Sequence, residues 1–163
     1  MGTYYNKVVN IETRWTDIVA AMRESGIWHE HLTALDIGCA EGEITAKIAE
    51  FCTRVKAFDI EPYKIFNCPI LDNVEFFIDN IKTFDIKEFA YEIIFYLGIH
   101  HKLQSPVQNK ILQKLFTTKA IIILRAPIEY AGTFIDESFA VNRNILFYPG
   151  NKGQGPVSIS CLN

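Results

Sequence analysis

The sequence lacks the patterns that mark several large classes of protein. Its apolar runs stay well short of the roughly 18 residues of a membrane-spanning helix, and its first residues show no basic segment followed by an apolar one. Its 16 lysines and arginines are outnumbered by 19 aspartates and glutamates, whereas domains that bind nucleic acid usually carry a basic excess. These absences predict a cytoplasmic protein with no membrane partner and no charge-driven attraction to nucleic acid.

Metal-ligand spacing is also missing. The four cysteines form no Cys-x-x-Cys pair and have no histidine tract beside them; they are Cys39, Cys52, Cys68 and Cys161. The sequence therefore predicts no metal site, and the cysteines are expected to be reduced, as in a reducing compartment.

The pattern that is present is an alternation of strands and helices. Strands are predicted at 33–37, 54–59, 74–78, 91–97, 120–124, 145–148 and 157–161. Helices are predicted at 11–25, after residue 42 (marked by Ile44, Ile48, Ala49 and Cys52), from Pro62, from Ser105 and within 134–142. This order predicts an α/β fold: a doubly wound, mostly parallel seven-stranded sheet, with helices on both faces and an antiparallel C-terminal hairpin. The length fits a single domain over 1–163, with 1–31 as an N-terminal helical segment.

Residues 34–42 form the most informative segment, an apolar strand that ends in an acid and runs into a Gly-x-x-x-Gly turn. Such a turn, followed by a helix, brings backbone N–H groups close to a ligand. The next strand ends in Asp59, and an acid in that place suits the two hydroxyls of a ribose. The sequence therefore predicts a cofactor that contains adenosine.

The glycine spacing argues against two common nucleotide sites. A dinucleotide fingerprint needs three glycines, but Ala40 takes the middle position, no third glycine follows Gly42, and Glu41 places a carboxylate beside the turn. A Gly-Lys-Ser/Thr phosphate loop is missing as well. A nicotinamide-dependent enzyme is therefore the weakest of the alternatives.

Four segments together resemble the class I (Rossmann-like) S-adenosylmethionine-dependent methyltransferases, over about residues 32–125. They read LDIGCAEG at 35–42, AFDI at 57–60, FIDNI at 77–81 and YEIIFYLGIHHKL at 91–103. The resemblance implies S-adenosyl-L-methionine as cofactor and S-adenosyl-L-homocysteine as product. It implies cofactor contacts from Asp36, Gly38, Cys39, Ala40, Gly42, Asp59, Ile60, Asp79, Asn80, Ile81 and Leu97. Among these, Asp59 would bind the ribose, Asp79 to Ile81 would hold the adenine, and Ala40 departs from the family's usual glycine.

The resemblance also places His100 and His101 where an acceptor would meet the methyl group. A histidine there could remove a proton from the attacking hydroxyl or amine. The structural alternative is that one ring packs beneath the loop and the other is exposed. We expect methyl transfer to an oxygen or nitrogen of a small metabolite or sugar-type acceptor. A nucleic-acid acceptor and a non-catalytic subunit that binds S-adenosylmethionine are the alternatives.

Several residues outside these motifs have two interpretations. Tyr4 and Tyr5, predicted to lie off the first helix, could close over the cofactor as part of a lid, whereas the spacing of Trp15 favours the core. Arg125 could hold an acidic acceptor group or end a strand in solvent. His29 and His31 precede the first strand and are predicted to be structural.

Overall fold

The computed structural model describes residues 2–28, 32–87, 89–125, 143–148 and 157–162, and all structural statements refer to these residues. The predicted helix within 134–142, His29 and His31 lie outside them. Within these ranges, no helix combines the length and the apolar character needed to span a membrane.

Helices and strands alternate along most of the described chain, as the sequence predicts. The helices are α1 (Gly2–Glu24), α2 (Glu43–Ala49), α3 (Pro62–Phe66) and α4 (Ser105–Phe116), with a 3-10 turn at His100–Lys102. The strands are β1 (Leu32–Ile37), β2 (Cys52–Asp59), β3 (Val74–Ile78), β4 (Ile93–Leu97), β5 (Ile121–Arg125), β6 (Arg143–Tyr148) and β7 (Val157–Leu162).

The strands form one mixed sheet in the order β3-β2-β1-β4-β5-β7-β6. Strands β1 to β5 pair in parallel, and β7 pairs antiparallel to both β5 and β6. This arrangement confirms the predicted mixed α/β fold with an antiparallel C-terminal pair.

Helices cover both faces of the sheet, which explains the continuous apolar run in β4. Alternate residues of that strand enter two separate cores, with Phe95 in one and Tyr96 in the other. The first core contains Ile18 of α1 and Ile48 of α2, and the second contains Leu112 of α4. Strand β4 is therefore buried on both faces, and ligands in such folds bind beyond the carboxyl ends of the parallel strands.

Several boundaries differ from the sequence-based prediction, that of the first helix most of all. The first helix begins at Gly2 rather than near residue 11, so Tyr4 and Tyr5 lie within α1 and not off its end. The apolar stripe that signals this helix starts only at Ile11, which explains the late predicted start. Cys52 belongs to β2 rather than to the preceding helix, because it pairs with Leu32 at the start of β1.

Candidate functional site

The loop between β1 and α2 is folded against the end of β2 by its own backbone. The N–H groups of Gly38 and Cys39 both donate to the carbonyl oxygen of Phe58, at 2.8 and 3.0 Å. The Gly42 N–H then donates to the Cys39 carbonyl at 3.0 Å, and α2 begins at the next residue. This turn places the loop beyond the carboxyl ends of two neighbouring parallel strands.

Two glycines of the loop are required by space as well as by conformation. Gly38 has φ +76°, and a Cβ there would lie 2.6 Å from Cγ2 of Ile99. Gly42 has φ +80°, and a Cβ there would lie 2.9 Å from Cζ of Phe76. Both residues therefore allow the loop to pack against its neighbours, whether or not a ligand also approaches them.

Gly38→Ala is expected to destabilise the protein more than Gly26→Ala. Gly26 has a similar φ of +75°, but a Cβ there would have no atom within 4 Å, so this position controls for backbone strain alone. Strain should cost about 1–2 kcal/mol at either position, and overpacking against Ile99 should add about 1–3 kcal/mol. Urea unfolding measures both free energies, and equal losses would contradict the packing explanation.

Ala40 adopts the left-handed conformation that a glycine would adopt more easily, with φ +52°. Its N–H donates to Oδ2 of Asp59 at 3.0 Å, and its carbonyl accepts from the Cys68 thiol at 3.5 Å. These contacts hold the centre of the loop on the side of β2 and α3, in a conformation that an L-residue rarely adopts.

Asp36 is buried one residue before the end of β1. Its Oδ2 accepts a hydrogen bond of 2.6 Å from Oγ1 of Thr45 in α2. Burial raises the pKa of this carboxyl to about 6, whereas the Thr45 hydrogen bond and the charge of Arg14 act in the opposite direction. Asp36 therefore joins β1 to α2 and places a carboxyl that titrates near neutrality beneath the loop.

Asp59 ends β2 and is also buried. Its Oδ2 accepts the Ala40 N–H, and its Oδ1 accepts the Glu61 N–H at 3.0 Å. The Lys64 Nζ lies 4.0 Å from Oδ1. Since each carboxylate oxygen can accept a second hydrogen bond, Asp59 can order the loop and still receive a ribose diol.

The segment after β3 lies beside Asp59, because Asp59 and Ile78 are partners in the sheet. The Asp79 N–H donates to the Asp59 carbonyl at 3.2 Å, and Oδ1 of Asp79 accepts from the Asn80 N–H at 2.6 Å. Asp79 and Asn80 are half-buried, and Ile81 is buried. The three residues predicted to contact adenine therefore lie beyond the end of β3, beside Asp59.

The two predicted apolar contacts differ in exposure. Ile60 is 58% exposed immediately after Asp59, whereas Leu97 is buried at the end of β4. The exposed Ile60 side chain is available to a planar ring, and Leu97 belongs to a core cluster. The geometry therefore favours a ligand contact for Ile60 and a packing role for Leu97.

The two predicted histidines are not placed alike. The His100 side chain is fully buried, its Nδ1 lies 3.3 Å from the Tyr96 hydroxyl, and its carbonyl accepts from Nε2 of Gln108 at 2.9 Å. This position favours the structural interpretation of His100 over a proton-transfer role. The side chain of His101 lies outside the part of the chain that the structure describes.

A cation that the sequence did not single out completes the site. Nη2 of Arg14, in α1, lies 3.3 Å from the place that a Cβ would occupy at Gly98. The charge of Arg14 lowers the pKa of Asp36. Desolvation, followed by the charge of Arg125, lowers the pKa of this guanidinium. Arg14 lies three residues after Ile11 and four before Ile18, which places a cation on the apolar face of the helix. That placement was the sequence signal from which Arg14 could have been found.

Arg125 is buried, rather than exposed at a strand end. Its Nη2 lies 2.5 Å from Oδ2 of Asp17, and its Nη1 donates to the carbonyl of Arg14 at 2.9 Å. This ion pair fixes α1 to the end of β5 and so positions Arg14. Among the described residues, no group of three or more His, Cys, Asp or Glu side chains is arranged to hold a metal ion.

No protein-family model matches the sequence, and no curated protein matches it. Solved structures do match the fold. The N-methyltransferase NodS from Bradyrhizobium japonicum, in complex with S-adenosyl-L-homocysteine, has a TM-score of 0.71 at 16% identity, over 90% of this chain and 83% of its own. A TehB-like SAM-dependent methyltransferase from Corynebacterium glutamicum has a TM-score of 0.66 at 15% identity, over 94% and 97%.

Magnesium protoporphyrin IX methyltransferase (ChlM) from Synechocystis, with bound SAM, has a TM-score of 0.76 at 12% identity, over 100% of this chain and 85% of its own. At these identities the likeness concerns the architecture. The chain therefore has the fold of the S-adenosylmethionine-dependent methyltransferases.

Proposed function

We propose that this protein transfers a methyl group from S-adenosyl-L-methionine to an oxygen or nitrogen atom of a small-molecule acceptor. The observation that carries the proposal is the convergence of the 38–42 loop, Asp36 and Asp59 at the carboxyl ends of β1 and β2, within this fold. Solved structures of the same fold hold SAM or its product, as in ChlM and NodS. When bound, the cofactor supplies the activated methyl group, and the protein binds and aligns it.

The proposed binding mode assigns one task to each part of the site. Asp59 accepts from the ribose hydroxyls, and Asp79, Asn80 and Ile60 surround the adenine. The loop, with Gly38, Cys39, Ala40 and Gly42, lies along the methionine portion, with Asp36 beneath it. This mode uses the acceptor capacity left on Asp59 and the exposed face of Ile60.

Arg14 adds a contact to this mode, because the methionine portion carries a carboxylate and Arg14 is the cation beside Asp36 and Gly98. Arg14→Met is expected to weaken S-adenosylmethionine binding about 10- to 100-fold, the loss of one charged hydrogen-bonded contact. Adenosine, which lacks the carboxylate, should bind both proteins equally in calorimetry. Arg23→Met, which removes an exposed cation of the same helix, is the control. Equal weakening of both ligands would contradict the assignment.

Cofactor affinity is expected to rise with pH through the pKa of Asp36, about 6. Ionised Asp36 attracts the cationic methionine end, so affinity should increase by up to about tenfold between pH 5 and 7. The raised pKa also means that the folded state holds this proton more tightly, so the contribution of Asp36 to stability falls as pH rises from about 4 to 6. Asp36→Asn should flatten the affinity profile, and Asp72→Asn, an exposed acid before β3, should not. An unchanged profile in Asp36→Asn would contradict the role.

The burial of His100 favours one further candidate, a subunit that binds the cofactor without turnover. The burial of His100 does not exclude turnover, because methyl transfer needs alignment of the nucleophile, the carbon and the sulfonium rather than a base. The possibilities are separated by incubating the protein and methyl-labelled S-adenosylmethionine with the small-molecule fraction of a cell extract and, separately, with its RNA fraction. Label in the small molecules supports the proposal, label in RNA supports a nucleic-acid acceptor, and binding without transfer to either supports the non-catalytic subunit.

A further inference from the structure

Two cysteines meet at the glycine loop from different segments of the chain. Cys39 lies within the loop, and Cys68 follows α3. Both thiols face the carbonyl oxygen of Ala40, with Sγ–O distances of 3.8 Å from Cys39 and 3.5 Å from Cys68. The two thiols are near enough that each affects the pKa of the other. The Ala40 carbonyl is thus approached by side chains 29 positions apart, which brings two oxidisable sulfurs to the centre of the candidate cofactor site.

The two thiols differ in access. Cys39 is buried, whereas Cys68 is half-buried, so a reagent in solution meets Cys68 first. Burial raises the pKa of both thiols, which makes them slow nucleophiles near neutral pH. A more accessible thiol with a second one nearby is the arrangement in which a mixed disulfide is resolved internally.

We propose that Cys39 and Cys68 form a reversible disulfide that controls the cofactor loop. The Cys68 thiolate attacks a small disulfide, forms a mixed disulfide and releases one small thiolate. The Cys39 thiolate then attacks the Cys68 sulfur, forms the internal bond and releases the second. The protein loses two thiol hydrogens, as protons taken up by the two released thiolates, while the small disulfide is reduced.

The bond would alter the loop that holds the cofactor. A disulfide joins the two sulfurs at about 2.05 Å. Because both thiol hydrogens are lost, neither thiol–carbonyl hydrogen bond remains. Ala40 then loses both thiol donors at its carbonyl, while its N–H is still held by Asp59. The backbone between Cys39 and Ala40 must adjust, so the oxidised protein should bind S-adenosylmethionine less tightly. This consequence rests on the proposed function, whereas formation of the bond does not.

The bond is tested with oxidised glutathione on the full chain, followed by intact mass and peptide mapping. We expect the wild-type protein to lose the mass of two hydrogens and to yield one cross-linked peptide pair containing Cys39 and Cys68. Cys68→Ser should form no internal disulfide, and Cys161→Ser should behave as the wild type. Stable glutathione adducts without an internal bond, or a bond between other cysteines, would overturn the proposal.

Loop control is tested by calorimetric titration of the reduced and the oxidised protein with S-adenosylmethionine. Oxidation should weaken binding at least about fivefold, which corresponds to one lost hydrogen bond. A thiol reductant should restore it, and Cys68→Ser should bind equally with and without oxidant. Equal affinity of the two wild-type states would overturn loop control. If the reduced protein does not bind S-adenosylmethionine but the bond forms, the proposed function is wrong and the disulfide stands.

Discussion

Asp59→Ala is expected to weaken S-adenosylmethionine binding by about 100-fold or more, because the carboxylate would accept two charge-assisted hydrogen bonds from the ribose. The same variant removes the acceptor for the N–H groups of Ala40 and Glu61. Part of the loss could therefore arise from a disordered loop rather than from a missing ribose contact. Isothermal titration gives the affinity, but one ligand cannot separate the two causes.

A ligand without ribose hydroxyls separates them. The wild-type protein should bind adenosine more tightly than 2′,3′-dideoxyadenosine, whereas Asp59→Ala should bind the two equally. This double comparison isolates the interaction between the carboxylate and the hydroxyls. If the variant weakens both ligands by the same factor, Asp59 acts only on the loop and the ribose assignment is wrong.

Asp17→Asn is expected to lower the free energy of unfolding by about 3–5 kcal/mol, since it leaves the buried Arg125 charge without its carboxylate partner. Both side chains are less than a tenth exposed, and they join α1 to the end of β5. Because such a loss is a large share of the usual 5–15 kcal/mol, the melting temperature should fall markedly. Chemical denaturation and thermal unfolding both measure the effect.

The double variant Asp17→Leu/Arg125→Met is the matched control. Replacing a buried ion pair by apolar side chains of similar size often costs little. We therefore expect the double variant to be more stable than Asp17→Asn alone. A loss below about 1 kcal/mol in Asp17→Asn would contradict a large contribution of this buried ion pair to stability.

The elements that the sequence predicts well are those coded by local pattern. The strand, turn and helix around Gly38 and Gly42 depend on adjacent residues, and the acid at Asp59 ends a strand whose apolar run is visible. The buried β4 follows from an apolar stretch with no other explanation. These features need no knowledge of which distant residues meet.

The remaining features depend on contacts between distant parts of the chain. The bonds from Arg125 to α1 span 108 and 111 residues, so the proposed role of Arg14 could be inferred only from the fold. His100 follows β4, where the sequence predicted a proton acceptor, but its ring is buried beside Tyr96, and no local pattern signals that burial. The approach of the Cys39 and Cys68 thiols to the Ala40 carbonyl likewise depends on where α3 returns the chain to the loop.

The most direct test is calorimetric titration of the reduced protein with S-adenosyl-L-methionine, S-adenosyl-L-homocysteine and NAD. The proposed site predicts that the first two bind with one molecule per chain, that Asp59→Ala weakens both, and that NAD does not compete. Binding of NAD without S-adenosylmethionine, or binding of S-adenosylmethionine that is insensitive to Asp59, would contradict it.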